Sequence, residues 1–197
     1  MDSSRVFKYH REMLARFGPD SNISLGWRDK RSQLVRFDAL MNIADLNGRS
    51  VLEAGCGTGD LFNFLMTRYP DLTSYVGVDF IPEMIDEARD RIISPKANFW
   101  AVSFMSTVLP QADYVLASGS LNYATSEPDY IYRAISHLFQ LSRCGLGFNL
   151  LRFISRGDML SAYDPDDIVA FCQTLSDHVV LKDDYDREDF TVFVYRD

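Results

Sequence analysis

Short apolar runs of six to eight residues alternate with longer amphipathic segments along most of the chain, and this alternation narrows the fold more than any other feature. "SVLEAG", "SYVGVDF", "NFWAVSF", "ADYVLASG" and "GLGFNLL" read as strands, and "DLFNFLMTRY", "PEMIDEARDRI" and "PDYIYRAISHLFQLS" as helices among them. Pro82 opens its helix with Glu83 beside it, where a fixed φ and a negative charge both suit a helix start. Apolar strands interleaved with helices imply a doubly wound, mostly parallel sheet covered on both faces. The end of the chain breaks the pattern. After a last helix, "DPDDIVAFCQTL", the strands "HVVLKD" and "FTVFVY" are joined by an acidic loop too short for a crossover helix, so they run in opposite directions. In such folds ligands collect beyond the carboxyl ends of the strands, where the strand order reverses.

Two helices precede the first strand. "VFKYHREMLARF" is closed by the polar cluster "GPDSN"; "RDKRSQLVRFDALMNIADL" carries Leu34, Phe37, Leu40, Met41 and Ala44 on one stripe and stops at Asn47-Gly48. With 197 residues and no repeat or linker, one domain over 1–197 is expected. A net charge of −8 argues against a nucleic-acid partner, which needs a basic surface. No apolar run approaches the roughly 18 residues of a membrane span, and the N-terminus has no signal-peptide core. Cys56, Cys144 and Cys172 are far apart, with no CxxC or Cys/His cluster. They read as free thiols in a cytoplasmic protein, and no metal site is expected.

The first strand runs into "GCGTG". A phosphate loop would need GxxxxGK[ST], but no lysine follows and the chain holds only four. A dinucleotide fingerprint would be GxGxxG, whereas Gly55, Gly57 and Gly59 are spaced one residue tighter. Glu53 at the strand end would repel a pyrophosphate and suit a cation. Twenty residues past Gly59, at the tip of the second strand, Asp79 is placed to accept both hydroxyls of a ribose. The pattern describes a nucleoside without phosphates.

"VLEAGCGTGDL" followed by "YVGVDFIPEMIDEAR" resembles the first two motifs of the class I, seven-strand, Rossmann-like S-adenosylmethionine-dependent methyltransferases. Glu53, Gly55, Gly57 and Gly59 match the family's [D/E]xGxGxG, and element order extends the resemblance over about residues 30–197. It implies strand order 3-2-1-4-5-7-6 with strand 7 antiparallel, and an N-terminal helical lid over residues 1–30. It implies S-adenosylmethionine as cofactor and S-adenosylhomocysteine as product. Glu53 would meet the methionine ammonium, the Gly55–Gly59 backbone with Ala54 and Cys56 would line methionine and ribose, and Asp79 would hold the ribose hydroxyls. Phe80 and Met84 would pack on the adenine, and Ser118 at the end of the fourth strand would complete the set. Two positions depart from the family. Ser103 stands where many members have an adenine-binding acid, leaving its hydroxyl or the backbone at Phe104 to bind the amino group, and Ile81 replaces a common serine.

Methyl transfer is an in-line displacement, so positioning carries much of it, and a base is needed only for a protonated acceptor. Asn122 and Tyr123, after the fourth strand, are the acceptor-side candidates. "SGSLNYATSEP" is not the [D/N]PP[Y/F] motif of amino-methylating enzymes. Tyr9, Trp27, Tyr123 and Tyr163 are the aromatic faces available to a sulfonium. Trp27 belongs to the lid, and Arg36 faces either solvent or the methionine carboxylate. His10 is expected on the surface or the lid, outside the chemistry. A small-molecule acceptor fits best, then a protein side chain; its identity and the oligomeric state are open. Rival readings are a non-catalytic S-adenosylmethionine-binding protein, an aminopropyl transferase, and an NAD-dependent reductase. The last lacks both GxGxxG and a Tyr-x-x-x-Lys pair.

Overall fold

The computed structural model describes residues 3–19, 21, 23–154 and 159–196. Of the expected lid, Met1, Asp2, Asp20 and Asn22 lie outside them. Two helices come first, α1 (Ser3–Phe17) and α2 (Lys30–Leu40). Strands and helices then alternate: β1 (Ser50–Ala54), α3 (Asp60–Arg68), β2 (Ser74–Asp79), α4 (Pro82–Arg91), β3 (Ala97–Ala101) and β4 (Ala112–Ala117). A 3-10 turn (Ser120–Asn122), α5 (Tyr130–Leu141), β5 (Ser142–Leu151), α6 (Pro165–Gln173), β6 (Val179–Lys182) and β7 (Asp189–Tyr195) complete the chain.

The seven strands form one sheet in the order β3-β2-β1-β4-β5-β7-β6. β7 runs antiparallel to β5 and β6, as the short acidic connection requires, and the other pairs are parallel. Side-chain alternation sorts the core into two layers. Leu52, Ala54, Val115, Ala117, Phe148 and Val192 pack beneath α5 and α6. Val51, Tyr75, Phe99, Leu116 and Phe193 face α2, α3 and α4.

Helix starts follow their local chemistry. The Asp29 carboxylate accepts from the Ser32 N–H at 2.7 Å, and the Asp29 N–H donates back to the Ser32 hydroxyl, a reciprocal cap for α2. Asp164 caps α6 through the Asp166 N–H ahead of Pro165. The expected stripe on α2 holds for Phe37, Leu40 and Met41, whereas Leu34 is exposed and Ser32 and Gln33 are buried. The helix is turned so that this polar pair faces the ligand crevice, with the Gln33 amide donating to Asp60 at 2.9 Å.

Candidate active site

The strand order reverses between β1 and β4, and their C-terminal loops open a cavity of about 410 Å³ at that switch point. Its wall brings together Glu53, Gly55, Cys56, Gly57, Asp79, Phe80, Met84, Phe104 and Ser118 from the sheet side. Tyr9 and His10 reach it from α1, Trp27 from the segment between the first two helices, Arg36 from α2, and Asn122 and Tyr123 from beyond β4. Ala54, Gly59, Ser103 and Tyr163 do not line it. Ala54 is fully buried behind the loop, and Gly59 starts α3. The Ser103 hydroxyl instead accepts from the Met105 N–H at 3.3 Å.

The glycine loop is tied down on both sides. Gly55 and Cys56 donate their N–H groups to the Val78 carbonyl at 2.8 and 3.0 Å. The Gly57 N–H donates to Asp79 Oδ2 at 3.1 Å, while the Ile81 N–H holds Oδ1 at 3.0 Å. Across the crevice, Ser120 Oγ donates to the Ala54 carbonyl at 2.6 Å. Its Cβ lies 2.2 Å from where a Gly55 Cβ would stand, and Gly55 has φ +78°. Only glycine serves there.

Burial sets the charge state of both acids. Glu53 is pushed up to about 8 by desolvation, opposed by the Tyr75 hydroxyl, which donates to its carboxylate, with Asp60 and Asp79 adding to the rise. Asp79 is raised to about 6 by burial, against the N–H groups of Ile81, Gly57 and Phe80. Burial, Glu53 and Asp79 also push the Cys56 thiol far up, so it is an inert wall group. Tyr75 was missed in the sequence. In the register Glu53 faces Gly77 on β2, so Tyr75, two residues earlier, shares its side of the sheet.

The segment between α1 and α2 packs directly on the loops. Leu25 Cδ2 approaches within 3.4 Å of a Cβ position on Gly57, and the Trp27 ring within 3.0 Å of one on Gly119. Arg36 stands 4.9 Å over the Trp27 ring and pairs with Asp189 at 2.7 Å. The solvent-facing alternative for Arg36 is therefore overturned, since its side chain is 13% exposed. Behind this wall, Ser118 Oγ donates to Asn149 Oδ1 at 2.8 Å, and Asn149 Nδ2 to Thr191 at 2.6 Å, which fixes Ser118.

His10 lies on α1, within the segment expected as a lid, but it is buried on the cavity wall and not at the surface. It is 3% exposed, with Nδ1 2.8 Å from the Ser24 carbonyl and Nε2 2.5 Å from the Tyr123 hydroxyl. A carbonyl can only accept, so Nδ1 carries the proton and Nε2 accepts from Tyr123. Burial lowers the His10 pKa from 6.5, which keeps the ring neutral at pH 7, although the Ser24 carbonyl raises it in part. Asn122 Oδ1 accepts from the Leu151 N–H at 2.8 Å, anchoring the segment that presents Tyr123.

Residues 51–145 match the family described as "Methyltransferase domain". The magnesium-protoporphyrin O-methyltransferase of Rhodobacter capsulatus is 36% identical over 109 residues, 54% of this chain and 46% of that protein. A trans-aconitate 2-methyltransferase of Afipia carboxidovorans is 27% identical over 144 residues, 73% of this chain and 49% of that protein. The chain thus spans less than half the length of these curated relatives. Among solved structures, the magnesium protoporphyrin IX methyltransferase of Synechocystis PCC 6803 with bound S-adenosylhomocysteine superposes with a TM-score of 0.71 at 17% identity. The superposition covers 98% of this chain and 95% of that one. At that identity the likeness is one of fold. Residues 51–145 are thus similar to the methyltransferase-domain family, and the chain shares the Rossmann-like fold of these solved methyltransferase structures.

Proposed function

We infer that this chain is an S-adenosylmethionine-dependent methyltransferase that transfers the methyl group to oxygen on a small-molecule acceptor. The observation that carries the reading is the pairing of two buried carboxylates, Glu53 and Asp79, around a glycine backbone with no lysine beside it. Such a crevice fits a cationic nucleoside and disfavours a pyrophosphate. Asp79 holds the ribose hydroxyls with the lone pairs left free by Gly57 and Ile81, and Glu53 meets the methionine ammonium. The Gly55–Gly59 backbone lies along the methionine and ribose; Phe80, Met84 and the Phe104 segment enclose the adenine. Ser118 completes the cofactor set, and Asn122 and Tyr123 stand toward the acceptor. Arg36, already answered by Asp189, orients Trp27 against the loop after β4. The cofactor supplies an electrophilic methyl group on a sulfonium; the protein positions it and excludes water. The relatives named for O-methylation of magnesium-protoporphyrin and methylation of trans-aconitate support a small acceptor. The described part of residues 1–30 is the lid of this single domain. Three free cysteines, two of them buried, support a cytoplasmic setting; among the described residues no helix is long and apolar enough to cross a membrane.

The reading predicts a proton-linked affinity. A cation beside Glu53 favours its ionised form, so binding releases the proton that the empty site holds below about pH 8. Affinity for S-adenosylmethionine is expected to rise about tenfold from pH 6 to pH 7, one proton's worth of linkage. The rise stops near pH 8, where the ligand's own amine begins to lose its proton at about 7.7–8.0. The sign for stability is opposite. A carboxyl raised from 4.5 to about 8 stabilises the empty fold below its unfolded pKa, and that contribution is lost as pH rises through about 8. Calorimetric titration in two buffers of different ionisation enthalpy measures the released proton directly. Binding without proton release at pH 6–7 would remove Glu53 from the cation site.

A further inference from the structure

His10 and Tyr123 form a hydrogen-bonded pair split between the lid and the core, and cofactor binding leaves it without a task. The Tyr123 proton is committed to His10 Nε2, so the phenolic oxygen turns lone pairs, not a hydrogen, toward the cavity. That end of the cavity is apolar. Leu160 bridges to Tyr123, Leu151 is tied to Asn122, Val6 lies one turn before His10, and Phe153 and Ile154 also line the cavity. The two arginines on the wall, Arg28 and Arg36, pair with Glu188 and Asp189, and only Arg36 Nε is left buried without a hydrogen-bond partner. The titratable groups that face the pair are Tyr9 from α1 and Asp79 from the end of β2. An anionic acceptor would thus meet lone pairs and carboxylate, whereas an O–H would find a hydrogen-bond acceptor backed by a neutral imidazole.

We propose that His10, acting through Tyr123, takes the proton of the methyl acceptor, and that this acceptor is a phenolic hydroxyl on a flat apolar skeleton. The acceptor hydroxyl donates its proton to Tyr123 Oη as the Tyr123 proton passes to His10 Nε2. The acceptor oxygen forms the new bond to the methyl carbon, and the electrons of the broken C–S bond stay on sulfur. The positive charge lost from sulfur ends on the imidazolium, whose Nδ1–H remains on the Ser24 carbonyl. Because His10 arrives on α1, lid closure completes the proton path.

The proposal rests on the methyltransferase reading, and its test separates the two. S-adenosylhomocysteine is titrated into wild type, Tyr123→Phe and His10→Gln, and methyl transfer from labelled S-adenosylmethionine is followed to three probes. These are 7-hydroxycoumarin, a nitro-substituted phenol already ionised at pH 8, and trans-aconitate. We expect all three proteins to bind S-adenosylhomocysteine alike, and wild type to methylate the coumarin with an acid limb below pH 6.5. Each variant should lose about a hundredfold or more on that probe at neutral pH, the usual worth of a positioned base. The gap should close with the ionised nitrophenol, which all three proteins should methylate slowly, since it has no proton to give up and meets the lone pairs of Tyr123 as an anion. Histidine ¹⁵N spectra of wild type should show Nδ1 protonated and Nε2 bare. Equal losses on both phenols, transfer to trans-aconitate alone, no transfer to either phenol, or a proton on Nε2 would each overturn the proposal. Failure of wild type to bind S-adenosylhomocysteine would instead remove the reading beneath it.

Discussion

Asp79→Ala is expected to weaken S-adenosylhomocysteine binding by about a hundredfold while the protein remains folded. The carboxylate has two tasks at one point. It accepts from the Gly57 and Ile81 N–H groups, which sets the loop, and it keeps lone pairs directed into the cavity. Hydrogen bonds to a charged group are worth about 1.5–3 kcal/mol each, and losing two to the ribose removes about 3 kcal/mol or more. That difference is about two decades in Kd. Asp79→Asn keeps the shape and one acceptor oxygen but sets an NH₂ against an N–H donor, so it falls between alanine and wild type. Calorimetry gives the affinities, and a thermal melt of the empty proteins separates lost binding from lost folding. An alanine variant that binds within about threefold of wild type would show that the ribose lies elsewhere.

Gly55→Ala is the second large effect, and it acts on the fold. The left-handed φ of +78° costs a residue with a Cβ about 1–2 kcal/mol. The added methyl also lands 2.2 Å from Ser120 Cβ, and overpacking of this kind costs about 1–3 kcal/mol. Together these are a large share of the 5–15 kcal/mol that holds a typical domain folded, and should lower the melting temperature by about 10 °C. The Gly55→Ala/Ser120→Gly double variant removes the clash but keeps the φ strain and gives up the Ser120 hydrogen bond to the Ala54 carbonyl, so it should recover less than half of the loss. If the single variant melts within about 2 °C of wild type, the contact between the two loops is not as described.

What could be read from the sequence was whatever a backbone pattern carries. The tight glycine spacing after β1, an acid at the strand tip twenty residues on, and a terminal pair of strands with too short a link each have one structural solution. Groups that act through tertiary contact left no such trace. His10 lies on an amphipathic helix where nothing in the spacing says that Tyr123, 113 residues away, will close on it. Tyr75 was more accessible. A glutamate in an apolar strand needs a donor, and a tyrosine of matching parity on the adjacent strand is the candidate to seek. Leu34 misled because helical spacing alone does not say which face meets the sheet, and here the polar Ser32 and Gln33 turn toward the crevice. Ser103 departs from the family's acid and does not reach the cavity wall, so under the proposed function adenine recognition would fall to Phe80, Met84 and the Phe104 segment.

Under the proposed function this crevice holds S-adenosylmethionine. Calorimetric titration of S-adenosylhomocysteine into the wild-type protein at pH 8, with NAD as the phosphate-bearing control, tests it most directly. One site with a Kd of about micromolar order, near −8 kcal/mol, and no heat from NAD are expected. Binding of NAD, or no binding of S-adenosylhomocysteine to a protein that melts cooperatively, would contradict it.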